Sequence, residues 1–124
     1  MPGSPGRESE SIDIDDMAAR AEEAAQFLRS LANPHRLLIL CHLTHGEASV
    51  SYLERELGMR QAHLSQHLAR LRQDGLVTTR RDARTIYYSI GSEAAADLVT
   101  LTYRLFCAGP DAAGAPAAAR SAGS

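Results

Sequence analysis

The sequence contains no lysine and no tryptophan, and its only cysteines are Cys41 and Cys107. Two thiols are too few for the disulfide framework that holds small secreted domains together. No apolar run approaches the roughly 20 residues of a membrane-spanning helix, and the chain does not start with the pattern of a secretory signal. We therefore expect a soluble, cytoplasmic protein with no membrane partner, whose cysteines rest as thiols.

Because lysine is absent, every fixed side-chain cation is an arginine guanidinium, whose planar fork suits phosphate and guanine recognition. The net charge of −2 argues against a nucleic-acid partner, but the distribution of charge does not. Residues 8–23 contain seven acidic residues and one arginine, whereas residues 59–84 contain six arginines and two aspartates. The second segment is therefore a candidate DNA-binding region.

The chain of 124 residues, 44% of them apolar, fits one domain with one core. Residues 1–12 are rich in proline, glycine, serine and charge, and we predict that they are disordered. Residues 108–124 form an Ala/Gly-rich segment that we predict to be a flexible tail. The structured unit is therefore predicted to cover residues 13–107.

Apolar spacing and capping residues predict five helices, at 15–31, 34–45, 51–57, 60–74 and 93–107, and a β-hairpin within 76–90. Asn33, which precedes a proline, and Ser92 are predicted N-caps, and Ser51 with Glu54 has the spacing of a capping box. The second helix is apolar nearly all round, so it should be buried. The predicted fold is mainly α with a small β-hairpin wing: a winged helix-turn-helix of order α1-α2-α3-α4-β-β-α5.

The fourth helix and the hairpin carry side chains suited to DNA recognition. Three leucines, Leu64, Leu68 and Leu71, would dock this helix on the core and leave a polar face for the major groove. Glutamine pairs with adenine and arginine with guanine, while hairpin arginines suit phosphate or minor-groove contact. The predicted DNA-binding residues are Gln61, His63, Ser65, Gln66, His67, Arg70, Arg80, Arg81 and Arg84. Any one of these features alone would equally fit a solvated helix beside a charged surface hairpin.

The stretches LANPHRLLILCHL and SYLERELGMRQAHLSQHLARLRQDGLVTTRRDARTIYYSI resemble the ArsR/SmtB family of bacterial repressors over roughly residues 15–107. The resemblance implies a homodimer that pairs through its first and fifth helices. It also implies binding to palindromic double-stranded operator DNA, which an inducer weakens. The residues that it places toward the bases are Gln61, His63, Ser65, Gln66 and His67.

Most members of that family sense metals, so their ligand sets can be sought here. Where one family site has Cys-x-Cys, this chain has serines at positions 49 and 51, and hydroxyls are poor ligands for soft metals. The fifth helix contains no histidine, since the last one in the chain is His67. A new Zn²⁺ site could in principle use Cys41, His42, His45 and Cys107. We predict neither a metal nor a cofactor, and a metal-responsive repressor stays an alternative.

The two cysteines also resemble those of the dithiol members of the family, the SqrR and BigR type, which respond to reactive sulfur species. The resemblance implies that a persulfide or polysulfide inducer bridges the sensing thiols Cys41 and Cys107, and that bridging releases the operator. If their Cα atoms lie beyond about 7 Å, the bridge would need inserted sulfur. Two alternatives stay open: a general thiol-oxidation sensor, and cysteines that only fill the core. A further hypothesis is that His42 and His45 lower the pKa of Cys41.

An enzyme is not expected. A cysteine beside a histidine could serve thiol catalysis. However, the sequence around Cys41 has no glycine-rich phosphate loop, no redox Cys-x-x-Cys and no oxyanion-type motif.

Overall fold

A computed structural model of the protein describes residues 11–108, which form five helices and three strands. The elements follow in the order α1 Ile14–Leu31, α2 Pro34–Leu43, β1 Ala48–Ser49, α3 Val50–Leu57, α4 Gln61–Gln73, β2 Val77–Asp82, β3 Thr85–Ile90 and α5 Glu93–Cys107. The predicted winged helix-turn-helix order is confirmed, with one added strand, β1. The segments 1–12 and 108–124 lie almost entirely outside the described residues, so their predicted disorder and the 13–107 boundary stay predictions.

Polar side chains cap the helices and fix where they begin. Asn33 caps α2 and Ser92 caps α5, as predicted, because each side-chain oxygen accepts hydrogen bonds from first-turn N–H groups. The predicted capping box of Ser51 and Glu54 is wrong, since α3 begins directly after β1 and Ser49 caps it. Each such cap satisfies N–H groups that the helix itself leaves unpaired, and contributes about 1 kcal/mol.

The strands form one antiparallel sheet in the order β1-β3-β2. Val77 pairs with Ile90 at the base of the hairpin, and Ala48 of β1 pairs with Tyr88 of β3. The predicted hairpin is confirmed. The strand β1, which has only two residues and therefore no alternating pattern to detect, ties this hairpin to the segment that follows α2.

Helix α4 docks through the predicted leucine stripe. Leu64, Leu68 and Leu71 are at most 1% exposed, and they share a core cluster with Ile39 and Leu40 of α2. Full burial of each such side chain contributes about 1.5–3 kcal/mol. The packing therefore fixes which face of α4 is left for other contacts.

Helix α2 is buried on one face only, so the expectation that it would be buried all round is wrong. Leu38 is 49% exposed, and Cys41 is half-buried. The helix ends at Leu43, two residues before its predicted end. Its neighbours include α1, α3, α4 and α5, and the positions of these helices decide which apolar side chains they cover.

The outer helices α1 and α5 leave large apolar side chains exposed. The exposed residues on these two helices are Ile14, Met17, Leu28, Leu101, Tyr103 and Phe106. Apolar surface of this extent marks an interaction site more often than a solvated surface. Across residues 11–108, no helix combines the length and the apolar character needed to cross a bilayer.

Candidate functional site

The polar face of α4 lies opposite its leucine stripe. Gln61, His63, Ser65 and Gln66 are exposed, whereas His67 is half-buried. Four of the five residues predicted to face the bases are thus accessible to a ligand on this side. Their contact with DNA stays a prediction.

Arg70 is not a free cation, because its Nε donates a hydrogen bond of 2.8 Å to Asp74 Oδ2 at the end of α4. The same carboxylate oxygen accepts a hydrogen bond from the buried hydroxyl of Ser30. These two bonds hold the pKa of Asp74 below its usual value. The arginine therefore helps to fix the end of α4 against α1, and its predicted DNA contact would have to share the guanidinium with Asp74.

Three histidines meet where the start of α2 packs against α4. The ring centroids lie 5.2 Å apart for His35 and His63, 5.4 Å for His35 and His67, and 4.9 Å for His63 and His67. Burial lowers the pKa of His67, and nearby His63, Arg36 and His35 lower it further. Nε2 of His67 is buried and has no hydrogen-bond partner among the described residues. We call His35, His63 and His67 the histidine cluster.

Arg36 stands beside the histidine cluster and is held by backbone groups of α1. Its Nε donates to the carbonyl of Ser30 at 2.7 Å, and its Nη2 to the carbonyl of Arg29 at 3.2 Å. Burial lowers the pKa of its guanidinium, as does the charge of Arg70. Arg36 is therefore influenced by the Arg70–Asp74 pair and itself acts on His67 of the histidine cluster.

On the wing, Arg80 is engaged and two other arginines are exposed. Arg80 Nε donates to Glu47 Oε2 at 3.1 Å, and its Nη2 contacts the other oxygen of the same carboxylate. Its guanidinium carbon lies 4.7 Å from the centre of the Tyr87 ring. The Glu47 contact ties β2 to the loop after α2. Arg81 and Arg84 are exposed near the tip of the hairpin, and their DNA contacts stay predictions.

The two thiols belong to neighbouring helices, because α2 packs against α5. Both cysteines are free; Cys41 is half-buried and Cys107 is exposed. Cys41 lines a cavity of about 530 Å³ between the two helices, together with Leu38, His42 and Tyr103. A small reagent could therefore reach Cys41 from the side of α5.

The pKa of Cys41 is raised, chiefly by burial and further by the charge of Cys107. The hypothesis that His42 and His45 lower this pKa is therefore wrong: desolvation of the thiolate outweighs any help from the imidazoles. Charge on Cys107 reaches Cys41 although the cysteines are far apart in the sequence. The two side chains predicted to be sensing thiols thus lie within electrostatic range of each other.

The side chains that could bind a metal are not grouped in the described part of the chain. Within residues 11–108, no group of three or more His, Cys, Asp or Glu side chains is arranged to hold a metal ion. The four residues considered for a new Zn²⁺ site are therefore not gathered into one.

Sequence reasoning missed three residues that shape this surface: His35, Glu47 and Asp74. His63 and His67 are four residues apart on one helix, but only packing brings His35 to them. Glu47 and Arg80 are opposite charges 33 positions apart, with no local pattern that links them. The carboxylate of Asp74 lies four residues after Arg70, and this spacing could have indicated the pair.

Comparison with known proteins identifies relatives of most of the chain. The family described as "Bacterial regulatory protein, arsR family" matches residues 33–79. The Biofilm growth-associated repressor of Xylella fastidiosa (strain 9a5c) is 45% identical over 94 residues, which cover 76% of this chain and 82% of that protein. The crystal structure of the transcriptional repressor BigR from Xylella fastidiosa superposes with a TM-score of 0.74 at 43% identity, covering 79% of this chain and 100% of that one.

Two further solved structures have the same fold. Reduced HlyU from Vibrio cholerae N16961 superposes with a TM-score of 0.71 at 42% identity, covering 74% of this chain and 97% of that one. A homodimeric winged helix-turn-helix domain from Mycobacterium bovis gives a TM-score of 0.62 at 34% identity, covering 75% and 86%. The winged helix-turn-helix architecture is thus shared with DNA-binding regulators.

Proposed function

The chain belongs to the ArsR family of bacterial transcriptional regulators, and we propose that it is a homodimeric, cytoplasmic repressor that loses its operator when reactive sulfur bridges Cys41 and Cys107. The observation that carries this proposal is the position of the two thiols. They lie on packed helices, near enough for the charge of Cys107 to raise the pKa of Cys41.

The exposed apolar side chains of α1 and α5 support a dimer. Family relatives include a homodimer of the same fold, and six large apolar side chains on these two helices lack cover within the described chain. A second copy would bury them and place two α4 helices for two half-sites. Half-sites on one face of B-DNA repeat about every 34 Å.

Cys107 reacts first in the proposed mechanism, because it is exposed while burial disfavours the thiolate of Cys41. Its thiolate attacks the sulfane sulfur of a low-molecular-weight persulfide, takes that sulfur, and expels the carrier as a thiolate. A second persulfide molecule converts Cys41 in the same way. The terminal sulfur of the Cys107 persulfide then attacks Sγ of Cys41, which closes a trisulfide and releases hydrosulfide.

The bridge would act through α2. This helix has ten residues and is about 15 Å long, with Cys41 near its end and His35 at its start. A covalent link to α5 at one end would shift α2 as a rigid helix, and the other end of α2 packs on α4. A coupling of only about 1–3 kcal/mol between the bridge and DNA binding would lower operator affinity by five- to 150-fold.

The experiment treats the reduced protein with glutathione persulfide without oxygen, then measures intact mass, maps the linked peptides and titrates the same sample against DNA. The DNA is a duplex selected from a random-sequence pool by the reduced protein. We expect a Cys41–Cys107 bridge that retains sulfane sulfur, and weaker DNA binding. Cys41→Ser and Cys107→Ser should bind DNA as tightly as the wild type, and persulfide treatment should not weaken their binding. Serine variants that still release DNA on treatment would rule out the dithiol mechanism.

A general thiol-oxidation sensor is the second candidate, and the exposure of Cys107 favours it. In such a sensor, peroxide would produce a direct Cys41–Cys107 disulfide as readily as persulfide produces its bridge. Parallel treatment with hydrogen peroxide separates the two functions. Equal rates of bridging and equal loss of DNA binding with both reagents would favour the general sensor.

A further inference from the structure

The histidine cluster lies at the opposite end of α2 from the thiols and takes no part in the sulfur chemistry. Two of its members, His63 and His67, are on α4, and the third, His35, is in the first turn of α2. All three ring centroids are within 5.4 Å of each other. Imidazole is the side chain that ordinarily changes charge between about pH 5 and pH 8.

The surroundings of this cluster disfavour added positive charge in the free protein. Arg36 of α2 is the cation that lowers the pKa of His67, together with His63 and His35. Arg70 and Asp74 act in turn on Arg36. Asp74 is already engaged by Arg70 and by Ser30 of α1. The side chains of α2 and α4 that lower the pKa of His67 are therefore all cations or imidazoles. Helix α3, which packs on both α2 and α4, adds the charged residues Glu54, Arg55 and Glu56.

DNA would reverse this balance. A duplex carries one negative charge for about every 1.7 Å of its axis, and nearby anions favour the protonated form of an imidazole. His63 is exposed on the face of α4 that is predicted to meet the bases. A duplex on this face would bring phosphates toward the cluster and offset the repulsion between its imidazoles and Arg36.

We propose that operator binding takes up protons on the cluster of His35, His63 and His67, so that the repressor holds DNA more tightly as the pH falls below neutral. This inference rests on the proposed contact of α4 with DNA, but it is independent of the thiols. The lowered pKa of His67 supports it, because part of that lowering comes from neighbouring positive charge, which an arriving anion would offset. The protein would then respond to acidity and to reactive sulfur through opposite ends of one helix.

The test measures the affinity of the reduced, full-length protein for the selected duplex at constant ionic strength, from about pH 7.5 to about pH 5.5. We expect affinity to rise several-fold, toward the tenfold limit that would be reached at lower pH if DNA raised the pKa of one imidazole by one unit. The dependence of affinity on salt should also be steeper at the lower pH, because the protein then carries more charge to the phosphates.

Histidines outside the cluster supply the matched control. His35→Gln should flatten the pH dependence, whereas His45→Gln, which changes an exposed histidine beyond the other end of α2, should leave it unchanged. Affinity that is constant, or that falls with acid, would overturn the proposal, as would a slope in His35→Gln as steep as that of the wild type. If the wild-type protein binds no duplex at any pH, the DNA-binding role of α4 fails as well. Constant affinity refutes only the proton uptake.

A second measurement uses the wild-type protein alone and does not depend on how a variant folds. Histidine ring signals followed by NMR report the titration of each imidazole with and without the duplex. We expect the midpoints of the cluster histidines to move upward in the complex, while those of His42 and His45 stay in place. Equal midpoints in the free and bound protein would contradict the proposal.

Discussion

The two ends of α2 are built for different tasks. At the first end, Asn33 caps the helix, Arg36 is bonded to the backbone of α1, and His35 packs on α4. At the last end, Cys41 lines a cavity of about 530 Å³ against α5, and a turn without regular structure follows. The end near α4 is held to α1 by the hydrogen bonds of Arg36, while the end near α5 borders a cavity into which side chains could move.

The proposed function requires this contrast, because it puts a sensing thiol at one end of α2 and a contact with the candidate DNA-binding helix α4 at the other. In the proposed mechanism, chemistry at the end that borders the cavity would alter contacts with α5 and leave the hydrogen bonds at the other end in place. The tied end passes any displacement to α4 because the core beneath it is closely packed, and closely packed interiors transmit strain. The following changes test each half of this comparison.

The largest effect is expected from shortening a core side chain that lies between the two ends of α2. Ile39→Ala should lower the free energy of unfolding by about 2–5 kcal/mol, because Ile39 is fully buried and the vacated space cannot close. Leu38→Ala, at the adjacent position, should cost less than half as much, since Leu38 is 49% exposed. Urea unfolding of both variants measures the difference. Equal losses would mean that α2 is buried on both faces in solution.

The bonds that hold α1 to the end of α4, close to Arg36 of α2, come next. Asp74→Asn should lower the free energy of unfolding by about 1–3 kcal/mol, because it weakens charge-assisted hydrogen bonds with Ser30 and Arg70. Asp82→Asn is the control, since that carboxylate is largely exposed and its contact with Arg80 is long, at 3.9 Å. Its stability should be close to that of the wild type. If both variants lose the same stability, the contact between α1 and α4 through Asp74 is not a structural tie.

A smaller effect concerns acid stability. The pKa of His67 is lower in the folded protein than its usual value near 6.5. Its contribution to stability is therefore complete above about pH 6.5, and it is lost as the pH falls through the folded pKa, because the unfolded chain binds the proton more readily. Thermal melting from about pH 7.5 to about pH 5.5 should show a shallower decline for His67→Gln than for the wild type. A decline as steep as that of the wild type would mean that His67 is not the responsible group, and His45→Gln serves as the control.

The smallest effect is expected on the wing. Glu47→Gln should leave thermal stability unchanged, because the Glu47–Arg80 pair is exposed. It should release Arg80 for phosphate contact and raise DNA affinity by less than about threefold, with a steeper salt dependence. Glu56→Gln removes the same charge from the exposed face of α3 and is the control. Lower affinity in Glu47→Gln would mean that this carboxylate positions the arginine rather than competing with DNA.

Local patterns in the sequence were sufficient for the order of elements and for most helix ends. The leucine spacing of α4, the Asn33-Pro34 start of α2 and the Thr-, Val-, Ile- and Tyr-rich hairpin are all properties of neighbouring residues. Burial of α2 was overestimated, because composition records how apolar a helix is and not which neighbours cover it. The cap of α3 was misplaced for a similar reason, since a two-residue strand has no periodicity.

The candidate site was less accessible to sequence reasoning, because its main features join distant segments. The histidine cluster needs α2 to pack on α4, and the Glu47–Arg80 pair needs the hairpin to reach the loop after α2. The sign of the Cys41 pKa shift depends on burial, which a helix pattern does not provide. The pairing of Cys41 with Cys107 came from family resemblance, and its chemistry stays a proposal.

The most direct test of communication along α2 is an NMR measurement on the DNA-free protein before bridging, after bridging and after reduction. The five histidines act as internal reporters: His42 and His45 near the thiols, and the histidine cluster near α4. If α2 links its two ends, bridging Cys41 to Cys107 should shift the ring signals of His63 and His67, and reduction should restore them. Shifts confined to His42 and His45, in a sample whose mass shows complete bridging, would contradict the account.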